Sequence, residues 1–128
     1  MPSDVPAPEV IVDFEFERGL LYVALRNLGD RPALKVSCAF DKQFRGLGGE
    51  REMNTLRLFK NVEFLAPGKE IRTLVDTSAA YFARKEPTKL AATVSYRTDA
   101  GERRRHTIVH DLAIYRELAY VPEGATDA

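Results

Sequence analysis

The sequence predicts an all-β domain made of two antiparallel sheets packed face to face. Apolar residues recur with a period of two through most of the chain, and turn signals built on Gly, Asn and Pro recur at short spacing. No long amphipathic helix and no strand–helix–strand alternation is present. At 128 residues the chain has the size of one domain and can bury about two-thirds of the surface its unfolded form exposes.

Residues 1–9 are rich in Pro and polar side chains and read as a flexible arm. Val10, Val12, Phe14 and Phe16 then alternate with Ile11, Asp13, Glu15 and Glu17, giving a strand with one apolar and one mostly acidic face. After the break at Arg18-Gly19, Leu21, Val23 and Leu25 mark a second strand. The cluster from Asn27 to Pro32 is a turn, because Gly and Asn tolerate positive φ and Pro presets a bend. In a third strand Leu34, Val36, Cys38 and Phe40 share a face.

The stretch from Lys42 to Met53 holds three glycines among charges and reads as a mobile loop. Asn54 to Phe59 is a candidate short edge strand, and Val62 to Leu65 is a short apolar run. Ala66-Pro67-Gly68-Lys69 has the residues of a type II turn. Ile71, Thr73 and Val75 follow as a strand. Thr77 to Lys85 predicts a short helix before the penultimate strand, with Thr77 or Ser78 as cap and Pro87 as stop. Leu90, Ala92, Val94 and Tyr96 mark that strand; Thr98 to Gly101 turns it into a last one, Glu102 to about Leu112. Ala113 to Val121 fits a helix or a strand. Residues 122–128 read as a flexible tail, leaving 10–121 as a single domain of about seven strands.

Asn27-Leu-Gly-Asp-Arg-Pro-Ala-Leu-Lys-Val36 resembles the N-x-G-x-x-P-A-x-x-V turn of bacterial and archaeal immunoglobulin-like domains of the CARDB type. Phe64-Leu-Ala-Pro-Gly-Lys69 with the strand after it is similar to their L-x-P-G turn. Val94 to Gly101 resembles their last hairpin. The resemblance covers most of the chain and implies an immunoglobulin-like two-sheet sandwich used as an adhesive, spacer or interaction unit.

No motif points to catalysis or to a cofactor. Lys plus Arg and Asp plus Glu number 19 each, so no net field draws the domain to nucleic acid or anionic lipid. The single cysteine, Cys38, lies on an apolar strand face and reads as core. His106 and His110 share a strand face ~13 Å apart, too far to chelate one ion. Gly46-Leu-Gly-Gly49 matches neither a P-loop nor a dinucleotide fingerprint. Asp13, Glu15 and Glu17 read as a solvated face. No segment has the pattern of a signal peptide, and no apolar run approaches the ~20 residues that span a bilayer. The expected location is the cytoplasm.

The expected function is therefore a noncatalytic protein-interaction or structural module, with another protein or a second copy of the chain as partner. Candidate partner-binding residues are Phe44, Arg45 and Leu47 in the 42–53 loop, Tyr81 in the helical connection, and Tyr115 and Tyr120 in the C-terminal segment. Arg97 with Arg103, Arg104 and Arg105 forms a basic hairpin. Those arginines support an alternative, nucleic-acid or polyanion binding, although no aromatic residue is interleaved with them. An enzyme with a site assembled from loops ranks last.

Overall fold

The structure is a computed structural model and describes residues 6–118. The strands are β1 (Val10–Glu17), β2 (Leu20–Asn27), β3 (Ala33–Phe40), β4 (Arg45–Gly46), β5 (Arg51–Glu52), β6 (Val62–Leu65), β7 (Glu70–Thr77), β8 (Lys89–Thr98) and β9 (Arg103–Asp111). Three short helices join them: α1 (Arg57–Lys60), α2 (Ser78–Ala83) and α3 (Ala113–Arg116). The strands form a three-stranded antiparallel sheet, β1-β2-β7, a four-stranded one, β6-β3-β8-β9, and a small β4-β5 pair.

Local chemistry places the turns. Arg18 and Gly19 both take positive φ (52° and 80°), which matches strand twist and closes β1 on β2 as a two-residue hairpin. Gly101, at φ 91°, ends the β8–β9 turn, where its N–H donates to the Thr98 carbonyl. Thr77 caps α2 by accepting from the Ala80 N–H at 3.1 Å, as its position before the alanines predicts.

The alternating faces close on one core. Val10, Val12 and Phe14 of β1, Leu21, Val23 and Leu25 of β2, Val36 and Cys38 of β3, and Leu90, Ala92 and Val94 of β8 are all buried there. Burying one such large aliphatic or aromatic side chain contributes roughly 1.5–3 kcal/mol. Leu34 departs from its predicted face. Lys35 takes φ 51° and the register with β8 shifts between Leu34 and Ser37, so the extra residue turns Leu34 outward while Val36, Cys38 and Phe40 keep the inner side.

The segment expected as a mobile loop is folded. Phe44 is fully buried and meets Phe14, Phe40 and, through Phe40, Phe59 in edge-on or tilted ring contacts. Asn54 fastens it, accepting from the Phe44 N–H and donating to the Lys42 carbonyl, each at 2.9 Å. Gly46 lies so close to β7 that a Cβ there would stand 2.0 Å from the Val75 oxygen. In place of the expected edge strand, Met53–Thr55 forms a 3-10 turn and Arg57–Lys60 forms α1, because Met53 and Phe59 turn inward to close the end of the core.

Asn27 ties four segments together. Its Oδ1 accepts from the N–H groups of Glu9 (3.1 Å) and Gly29 (3.0 Å). Its Nδ2 donates to the carbonyls of Arg31 (2.8 Å) and Leu65 (3.1 Å). Its backbone N–H donates to the Lys69 oxygen, and its own oxygen accepts from the Gly68 N–H. The arm read as flexible through residue 9 is thereby held at Ala7–Glu9. The Ala7 N–H also donates to Asp30, and Gly29 admits the arm where a Cβ would clash at 2.1 Å with the Ala7 oxygen. Replacing Asn27 by Ala leaves these backbone groups without their partner. Asn27→Ala is expected to lower unfolding stability by about 2–4 kcal/mol, measured by urea denaturation.

Candidate functional site

The register of the four-stranded sheet builds its outer face row by row. Phe64, Leu34, Arg97 and Arg103 lie side by side on β6, β3, β8 and β9. Ser37, Ser95 and Arg105 form the next row, then Ala39, Thr93 and Thr107, then Ala91 and Val109. The middle of the face, built from Ser37, Ser95, Ala39, Thr93, Thr107 and Ala91, is small and uncharged, with two large apolar side chains on the edge strands: Phe64 is 61% exposed and Val109 is 66% exposed. No described element covers this face.

Three of the four hairpin arginines share it. Arg103 and Arg105 project from it, and Arg97 lies directly across from Arg103. Like charges placed opposite one another repel. Among the described residues no carboxylate lies within ion-pair distance of these three arginines. Arg104, one residue out of phase, projects from the other face and pairs with Glu102 at 3.4 Å.

The other sequence-predicted residues lie elsewhere. Phe44 and Tyr81 are fully buried, which corrects their reading as exposed partner anchors. Phe44 fills the aromatic end of the core, and Tyr81 plugs the same domain while its hydroxyl donates to the Pro87 carbonyl at 2.6 Å. Arg45 and Leu47 are exposed on the β4 turn and do not join the sheet face. Tyr115 is half-buried, and Tyr120 lies outside the described residues. Sequence reasoning missed Phe64, Leu34 and Val109. Their signal was faint: Phe64 sits in a short apolar run, and nothing local aligns it with Arg97.

The two histidines and Tyr115 act together on the edge of β1. His106 Nε2 lies 2.7 Å from the Val10 oxygen, His110 Nε2 lies 2.8 Å from the Val12 oxygen, and the Tyr115 hydroxyl donates to the Phe14 oxygen at 2.8 Å. A carbonyl only accepts, so each Nε2 carries the proton. The histidines therefore cross-link the two sheets, and among the described residues no group of three or more His, Cys, Asp or Glu could hold a metal. Cys38 is buried, and that burial pushes its thiol up to about 12.

A second network pins the β4 turn to β7. Asp76, only 6% exposed, accepts from the Gly48 N–H (2.9 Å), from Arg84 (2.8 Å) and from the Thr77 N–H (2.8 Å). Arg84 also donates to the Arg45 carbonyl, and Glu86 accepts from the Arg45 N–H. Burial alone would raise the Asp76 carboxyl. The donors from Gly48, Arg84 and Thr77 outweigh it and hold the group below its ordinary value.

A groove of about 820 Å³ opens between Pro6–Glu9 and the β8–β9 turn, lined also by Tyr96, Arg104 and His106. Four carboxylates stand on its walls: Asp30 binds the Ala7 N–H, Asp99 binds Arg31, Glu102 binds Arg104, and Glu9 is the fourth.

These observations define a mainly β protein whose two principal antiparallel sheets share a core and whose larger sheet has an outer face open among the described residues. Residues 3–116 match the family model described as "Domain of unknown function (DUF8453)", and the chain belongs to that family. No curated protein and no solved structure matches it. No helix among the described residues is long and apolar enough to cross a membrane.

Two outcomes follow. Because the folded Asp76 carboxyl titrates below its unfolded value, its contribution is fully present above about pH 4 and is lost as pH falls through the folded value. Asp76→Asn should lower stability at neutral pH by about 1–3 kcal/mol and flatten the acid limb of the stability–pH curve, read from denaturant titrations at a series of pH values. Native Cys38 should resist iodoacetamide and become modified only in denaturant, as followed by mass spectrometry.

Proposed function

We propose that the protein is a noncatalytic, cytoplasmic interaction or structural module with an immunoglobulin-like sandwich of the CARDB type, and that it binds a partner protein on the outer face of the four-stranded sheet. The observation that carries this reading is the uncovered face itself. Phe64 and Val109 stand at its margins as apolar anchors, the residues between them are small, and Arg97, Arg103 and Arg105 supply a charged border. Exposed apolar side chains beside charged ones are the usual material of a protein interface.

One observation favours polyanion binding as a second reading. Phe64 lies in the same row as Arg97 and Arg103, two and three strands away, so an aromatic ring that the linear sequence does not interleave with the arginines shares their face.

Affinity capture from the source lysate separates the two. Under the first reading, wild type retains a defined protein that Phe64→Asp and Val109→Asp each lose, before and after nuclease treatment. Equal retention by all three chains counts against it. Under the second, a labelled single-stranded oligonucleotide binds with log K falling against log salt at a slope of about −2, and Arg97→Ala/Arg103→Ala/Arg105→Ala abolishes binding.

A further inference from the structure

The sheet edges of this protein are not treated alike. β1 has its outward carbonyls at Val10, Val12 and Phe14 taken by His106, His110 and Tyr115. The Phe14 N–H is taken by Asp13. β7 is overlaid by the β4 turn, through Gly46 and through the Gly48 N–H on Asp76. β6 is only four residues long. β9 is nine residues long, forms the end of its sheet, and pairs with nothing but β8 among the described residues. An edge of this length with its backbone groups free is a template for another strand.

The direction of those groups follows from the register. The β8–β9 ladder runs without a shift, and its flanking bonds are Thr98 N–H to the Glu102 oxygen (2.8 Å) and Leu112 N–H to the Thr88 oxygen (2.7 Å). In an antiparallel ladder bonded pairs alternate. The even-numbered residues of β9 therefore bond β8, and Arg103, Arg105, Thr107, Val109 and Asp111 direct both N–H and C=O outward.

We propose that two copies of this chain associate by pairing these free β9 edges antiparallel about a two-fold axis at Thr107, with Arg103 of each copy opposite Asp111 of the other. Only odd-numbered residues can bond across such an edge, so the strands can slide only in steps of two. The Thr107 register uses all of β9, sets Thr107 opposite its own copy and sets Arg105 opposite the exposed Val109. It also supplies a carboxylate to Arg103, which has none among the described residues of its own chain. Asp111 spends one oxygen on the Ala113 N–H and, although Lys89 lies across from it on β8, takes part in no ion pair among the described residues.

Sliding by two residues toward the turn separates Arg103 from Asp111, and sliding by four sets Arg105 opposite itself. Sliding the other way pairs Arg105 with Asp111 but carries Arg103 past the end of the opposing strand. The basic run at one end of β9 and the acid at the other thus reject like-charge registers and favour a self-complementary one. An isologous contact of this kind closes at two copies and joins two four-stranded sheets into one.

This inference deepens the interaction reading by naming one partner, and its failure is separable from that reading's. The test is sedimentation velocity from micromolar to millimolar protein. Wild type should shift from monomer toward dimer. Arg103→Asp and Asp111→Arg should each weaken the dimer by about tenfold or more, and the double exchange should restore it. Val109→Pro is a second probe: it removes an outward N–H that makes no bond to β8, so the monomer keeps its circular dichroism spectrum while the dimer is lost. A chain that stays monomeric throughout overturns the proposal, and so does a dimer indifferent to the charge exchange and to Val109→Pro. A monomer that still loses its captured protein on Phe64→Asp overturns self-association alone.

Discussion

The Asn27 carboxamide uses both of its donors and both of its acceptor directions on backbone groups of four other residues. It stands at the end of β2, where the chain leaves the three-stranded sheet for the four-stranded one, and it binds the arm, its own turn and the end of β6 at once. Only a planar amide with two acceptor and two donor directions can serve all four; a carboxylate lacks the donors and an aliphatic side chain lacks both. The turn at Gly68 is joined to the same residue through its backbone. The relative position of the two sheets at this end therefore depends on one buried polar side chain, and the conformation of Gly29 follows from it.

Away from this end, polar side chains fasten the two edges of the three-stranded sheet. On one side His106, His110 and Tyr115 reach from β9 and α3 to the carbonyls of β1, and Tyr115 also stacks on Phe16. On the other, Asp76 and Arg84 hold the β4 turn against β7. Both devices use polar side chains to satisfy backbone groups that strand pairing leaves over, as a core of this kind requires. They close edges that would otherwise recruit other strands. The consequence for function is spatial: among the described residues, the outer face of the larger sheet and the edge of β9 stay open, and the two are continuous through Arg103, Arg105 and Val109.

Much of this was legible in the sequence wherever the information is local. The alternation in β1, β2 and β8 identified the strands and their inner faces, and Thr77 identified the start of α2. Strand alternation also placed Cys38 inward. The basic hairpin was visible as a run, but which arginines act together was not. Arg104 sits between two others in the sequence and on the opposite face in space. The histidines were set apart as poor metal ligands by their spacing, yet their partners lie 96 and 98 residues away and carry no side-chain signature.

Taken alone, the sequence determined the long strands β1, β2, β3, β7, β8 and β9 and the hairpin turns at Arg18-Gly19 and Thr98–Gly101, though not the folded 42–60 segment, because side-chain alternation and turn preferences are properties of neighbouring residues. Only the tertiary structure decided which strands lie beside one another and in what register, and hence that Phe64, Leu34, Arg97 and Arg103 form one row. It also decided that Phe44 and Tyr81 turn inward, since a loop aromatic is buried or exposed according to the space that distant elements leave for it. The left-handed backbone at Lys35 shows the limit most simply: one residue out of step sends Leu34 to the opposite face, and nothing in the alternation around it records the change.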